Sequence, residues 1–258
     1  MITTEAPIDP SPPKTWQELQ EKVRRLYREC GWIATTEEEI NTARGSVVVD
    51  VLARDQRQTP PLTIICECKC WGRRVPKSVV HSLRTIISDY GANWGILISS
   101  KGFQKGAFEA AAHSNLKLLD WSGFEAMLRT SWIRGFMIPT FYKRTDPLVE
   151  YTEFLNSRIF KKADRLPETS RKKFKELRAK YLPLSVMLSP LHPAWPEPSV
   201  ELLLPLRLRV ISSGMDVPDV AVPDAVLDAA SLRGLLEAYL LAVDSAIAEF
   251  DDVFGERA

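Results

Sequence analysis

Histidine and cysteine are scarce in this chain. Three histidines and four cysteines in 258 residues leave little material for a histidine-rich metal centre or a disulfide scaffold. His81, His113 and His192 are scattered and form no ligand pair. No HExxH, GxxxxGK[ST] or Gly-x-Ser-x-Gly segment occurs. Zinc proteases, P-loop nucleotide hydrolases and hydrolases of the nucleophile-elbow type are therefore unsupported. No apolar run reaches the length of about 18 that a membrane-spanning helix requires. The start, MITTEAPIDPSPPK, has no basic segment followed by an apolar one, so no signal peptide is expected. A large excess of one charge is also missing, because 34 Lys and Arg face 33 Asp and Glu.

What is present is an ordinary globular mixture, 45% hydrophobic and 26% charged. The near-neutral total hides a segregation. Residues 1–142 hold 18 basic and 15 acidic side chains, 143–196 hold 12 and 6, and 197–258 hold 4 and 12. A basic middle and an acidic C-terminal part argue against a uniformly basic surface but leave room for a local basic patch. The acidic part suits a protein partner, a second copy of the chain, or the basic middle itself.

Cys66, Cys68 and Cys70 alternate along one short stretch, with Cys30 elsewhere. Residues two apart on a strand share a face but are too constrained to pair with one another. Free thiols packed as small apolar groups in a reducing cytoplasm are the expectation. A zinc site would call for CxxC turns and a second ligand pair.

The coarse organisation is a flexible Pro-rich lead over 1–14, an α/β domain over 15–135, and a mainly helical and irregular region over 136–258. Helical spacing covers Thr15–Cys30, with Thr15 and Glu18 as a capping box. A short β-leaning run follows at Trp32–Thr36, then a polar stretch to Arg44. Two Val- and Ile-rich strands, Ser46–Ala53 and Leu62–Cys70, read as an antiparallel hairpin. A helix from Pro76 to Tyr90 crosses over to a third strand, Trp94–Ser99, expected parallel to its neighbour. Helix, strand and helix complete the domain. Beyond it, helices are expected at Asp146–Ile159, Glu168–Tyr181 and Ser231–Phe250. A strand is expected at Leu206–Ile211.

Three residues do not belong in apolar strands unless they have partners: Asp50, Glu67 and Lys69. Strand alternation puts Glu67 and Lys69 on one face, and the hairpin can bring Asp50 to them. Two carboxylates and a lysine suit a hard cation such as Mg²⁺ that binds phosphate and activates water. A self-satisfied ion network is the competing reading.

The order Asp50–x16–Glu67–x–Lys69, together with RGSVVVDVLA, IICECKCW, RVPKSVVHSLRTII and GILISSKGFQKGAFEAA, resembles the PD-(D/E)xK nuclease superfamily, and within it Mrr-type restriction endonuclease domains. The likeness covers about residues 15–130. It implies a restriction-endonuclease-like α/β fold, a mixed sheet flanked by helices. It also implies Mg²⁺-dependent (or Mn²⁺-dependent) cleavage of double-stranded DNA, in prokaryotic restriction or phage defence. DNA repair or junction cleavage, or a subunit active only with a partner, are the alternatives. By resemblance Asp50 and Glu67 are metal ligands and Lys69 is the catalytic lysine. Val49 stands where the name motif has Pro. The family often adds an acid on the first helix, and Glu21 is favoured over Glu18, which has its capping role; pairing of Glu21 with Arg25 is the bland alternative. Arg73, Arg74, Lys77 and Gln104 are the candidate DNA contacts, with Trp71 beside them.

Overall fold

The computed structural model describes residues 2–186, 200–206 and 222–255. It divides into two compact units, one of residues 11–136 and one of residues 1–10 with 137–258. In chain order the elements begin with a two-residue strand β1 (Ile2–Thr3), then α1 (Trp16–Glu29), β2 (Ile33–Thr42), β3 (Gly45–Asp55) and β4 (Leu62–Lys69). Next come α2 (Lys77–Tyr90), β5 (Trp94–Ser99), α3 (Lys105–Ala111), β6 (Leu116–Leu119) and α4 (Trp121–Trp132). A π-helical turn, Ile133–Met137, precedes α5 (Ile138–Thr152), α6 (Ser157–Ala163) and α7 (Glu168–Val186). Strand β7 (Val200–Glu201), α8 (Asp224–Leu227) and α9 (Leu232–Phe254) follow.

The 11–136 unit is built on a five-stranded sheet of order β2-β3-β4-β5-β6. β2, β3 and β4 are antiparallel, while β5 and β6 run parallel to β4. Parallel pairing needs a crossover, which α2 supplies between β4 and β5 and α3 between β5 and β6. α1 and α4 cover one face of the sheet, and α2 and α3 the other. The core under α2 and α3 joins Val49, Leu52 and Ile65 to Val80, Leu83, Ile87 and Leu97. The opposite core holds Leu19, Val23, Leu26 and Tyr27 of α1 against buried Val51, Cys66 and Phe124. This is an α/β sandwich with a mixed sheet, consistent with the restriction-endonuclease-like class.

Local signals explain the ends. Thr15 caps α1 by accepting the Glu18 N–H, and Glu18 accepts the Lys14 N–H in return. Gly91 stops α2 at φ 80°, a left-handed position that suits glycine. β2 runs further than its hydropathy predicts, through the polar stretch Glu37–Thr42. As an edge strand it is held by backbone bonding to β3, and its side chains are largely solvated, so an apolar pattern is not required.

The other unit corrects the expectation of a flexible lead. Ile8 is fully buried, and the Leu232 and Arg233 N–H groups donate to the Pro7 and Ile8 carbonyls at 2.9 Å. Asp9 is buried against Arg233 at 2.6 Å. The N-terminal segment thus occupies the first turn of α9. The expected helix 146–159 breaks: α5 ends at Thr152, Asn156 caps α6, and Pro147 lies within α5. Charge segregation resolves within this unit. Lys180 of α7 pairs with Glu249 of α9 at 3.0 Å, and Arg144 of α5 with Asp244 at 2.5 Å. Among the alternatives for the acidic part, these contacts realise the basic middle. The expected strand 206–211 lies outside the described residues except for Leu206.

A buried ion pair loses more than it gains when one partner is removed. Asp9→Ala is expected to cost about 3–5 kcal/mol in the C-terminal unit. Urea unfolding followed by near-ultraviolet circular dichroism checks it.

Candidate active site

The site forms where β3 parts from β4. Their ladder runs from Asp55–Leu62 to Val51–Cys66 and ends there. The Cys68 N–H, free of that ladder, donates instead to Asp50 Oδ2 at 2.7 Å. Side-chain alternation also slips at this point. Val49 and Leu52 both enter the core under α2, whereas Val51 sits opposite Cys66, whose thiol meets Tyr27 of α1 at 3.7 Å. The slip turns Asp50 toward α1, where the buried Gln20 donates to Asp50 Oδ1 at 2.9 Å. Both carboxylate oxygens of Asp50 are therefore fixed by donors.

Glu67 and Lys69 follow Ile65 by regular alternation. Lys69 Nζ is bonded to Glu67 and lies 3.8 Å from Asp50 Oδ2. The three side chains keep 17–24% of their surface exposed, so the cluster is sheltered yet reachable. Burial pushes the Glu67 carboxyl above its ordinary range, and the Asp50 charge adds to that, against the Lys69 ammonium. For Lys69 burial opposes the charge, but the Glu67 bond and the two carboxylate charges outweigh it and raise its pKa. The four thiols are free. Burial raises Cys66 to about 12 and Cys68 well above its usual value, so neither is a thiolate ligand.

Glu21 is not brought to this cluster, contrary to expectation. It lies on the outer flank of α1, 56% exposed, and pairs with Arg24 at 2.5 Å. Arg24 is its partner rather than the Arg25 of the bland reading. Gln20, one position earlier, makes the contact with Asp50. A 3.6-residue repeat places Gln20 beside Leu19, Val23 and Tyr27, and that apolar face was the available signal. Glu18 stays at the helix start, 36% exposed, with Lys14 and Lys22.

The remaining candidates sit on loops at the carboxyl ends of the parallel strands. Ser100 N–H donates to the Lys69 carbonyl, and a Val75–Phe103 bridge ties the loop after β4 to the loop after β5. Arg73 and Arg74 are exposed on the first loop, Lys77 opens α2, and Gln104 precedes α3 with its side chain exposed. Trp71 lies between them and the cluster, its ring 5.6 Å from Lys69 Nζ and 5.8 Å from the Arg73 guanidinium.

Among the described residues no three His, Cys, Asp or Glu side chains gather as a metal cage. Mg²⁺ is commonly held by one or two carboxylates, with water and substrate phosphate completing its shell. Asp50 and Glu67 fit that pattern of hard oxygen donors.

The raised Glu67 pKa has a sign that can be tested. Below its ordinary 4.5 the group is protonated folded or unfolded. As pH rises, the unfolded chain loses the proton first, so stability falls until the folded pKa is passed. In the metal-free protein, Glu67→Gln is expected to gain stability relative to the parent between about pH 4 and about pH 7. Paired urea melts at the two pH values read the difference.

One comparison with known families covers part of the first half of the chain. The Mrr-type catalytic family model, described as "Restriction endonuclease", matches residues 14–128. No curated protein gives a significant match. A crystal structure of a "Protein of Unknown Function AF1548" aligns with 66% of this chain and 98% of its own, at 18% identity and TM-score 0.39, a likeness too loose to bear on fold or function. Residues 14–128 match a restriction-endonuclease family model as a PD-(D/E)xK nuclease-like domain, and Asp50, Glu67 and Lys69 lie within the matched segment.

Proposed function

We propose that this protein is a Mg²⁺-dependent endonuclease that hydrolyses phosphodiester bonds of double-stranded DNA in restriction of foreign DNA, with Mn²⁺ as a substitute. The observation that carries this reading is the convergence of Asp50, Glu67 and Lys69 on one half-sheltered spot within the matched domain. Asp50 and Glu67 hold the cation. When bound, it supplies Lewis-acid activation of the phosphodiester and of the attacking water.

The chain's own groups do the rest. Gln20 and the Cys68 N–H hold Asp50 in one rotamer, so its carboxylate is pre-positioned rather than recruited. Lys69 carries a firm positive charge that orients the attacking water and offsets charge gathering on the phosphorus centre. Arg73, Arg74, Lys77 and Gln104 contact phosphates along the rim. No helix among the described residues is long and apolar enough to cross a membrane.

Plasmid DNA is expected to be cleaved with Mg²⁺ and left intact in EDTA. Asp50→Ala and Lys69→Ala should each lower the rate by about 100-fold or more. Full activity in either variant, with an unchanged melting curve, would sink the assignment. Gln20→Ala leaves both carboxylates and the lysine present but frees Asp50. It is expected to lower kcat by about tenfold, and Gln20→Glu is the comparison that retains a polar side chain of the same length.

A further inference from the structure

We propose that the groove between the C-terminal half of α1 and the start of β2 is a subsite for one phosphate-bearing nucleotide of the DNA strand, next to the cleavage site. The proposal rests on the nuclease reading and adds to it a binding site away from the rim loops.

A cavity of about 510 Å³ is lined by Arg24, Arg28, Trp32, Ile33, Thr35 and Thr36, with Ala34 between them. Its size lies within the range of about 300–1,000 Å³ that takes a small ligand or one unit of a polymer. The lining joins two guanidinium groups, an indole, two hydroxyls and the half-exposed Ile33. Donors for an anion beside flat and apolar surface suit a nucleotide, whose phosphate is charged and whose base has an apolar face.

Two details strengthen the reading. Glu21 occupies Arg24 through Nε and Nη2 only. Of the five guanidinium donors, the rest remain for a phosphate, and the carboxylate fixes the plane of the fork. Trp32 is held against Tyr27, with ring centroids 5.4 Å apart, so the indole is braced by the core. Glu21 thereby gains a role as a positioning residue for Arg24.

The site also lies in the right direction. Gln20, Arg24 and Arg28 are spaced four apart on α1 and so share one face. Each step of four advances about 6 Å along the helix. Gln20 is bonded to Asp50. Thr36 of the groove pairs with Val51, the neighbour of Asp50 on β3, so a strand that leaves a scissile phosphate at Asp50 along this face, away from the rim loops, meets Arg24 before Arg28.

Full-length protein in EDTA, titrated with a fluorescein-labelled DNA duplex at several salt concentrations, tests this. Each lost phosphate contact should reduce the slope of log K against log salt by about 0.9. Arg28→Ala is expected to lower the slope by about that amount, and Arg24→Ala/Arg28→Ala by about twice as much. Arg44→Ala, whose side chain pairs with Asp89, is the control and should leave the slope unchanged. A slope for Arg28→Ala equal to that of the parent overturns the subsite. If that parent still cleaves plasmid with Mg²⁺, the nuclease reading stands alone; if the parent neither binds nor cleaves DNA, the nuclease reading fails as well.

Discussion

The Asp50 carboxylate is the joint of this domain. It takes one hydrogen bond from a helix on one side of the sheet and one from the backbone of the neighbouring strand. A carboxylate in that position would be costly without partners, since its desolvation is uncompensated. With Gln20 and the Cys68 N–H it is satisfied, and the two strands can part without leaving a backbone donor unpaired. The opening that results is where Glu67 and Lys69 meet it. Strand geometry and site geometry are thus consequences of one set of bonds.

Electrostatic strain is kept local. Glu67 is pushed toward its neutral form by burial and by Asp50, while the carboxyl groups of Glu67 and Asp50 hold Lys69 positive against its own burial. Both groups thus hold their protons more tightly than usual, and such perturbed carboxylate and lysine groups in a sheltered cluster are what a functional site displays. In the C-terminal unit, by contrast, ion pairs such as Lys180–Glu249 and Arg144–Asp244 are about half exposed and contribute little each. Its cohesion comes from apolar and aromatic packing, including Tyr151 stacked on Phe250 and Phe174 edge-on to it.

Much of the nuclease-like domain was legible because its signals are periodic or chemical. β3 and β4 are dense in β-branched and apolar residues, and Asp50, Glu67 and Lys69 stood out as charges in that setting. Glu21 misled for a physical reason. An acid on a helix flank looks available for a metal, while a glutamine on the apolar side looks like filler. Only the packing of α1 on the sheet reveals that the inner side reaches Asp50. The N-terminal segment misled similarly, since Pro-rich composition says nothing about a later helix waiting to pair with Asp9.

By itself, then, the amino-acid order determined the element sequence of the 11–136 unit, the mixed sheet and the three charged residues, because periodicity and the cost of burying charge act over short distances. The tertiary structure decided which helix residue touches Asp50, where β3 leaves β4, and which acidic residues meet the basic middle. Those depend on contacts between residues from 18 to more than 200 positions apart, such as Asp50 with Cys68 and Asp9 with Arg233, and no local pattern encodes such contacts.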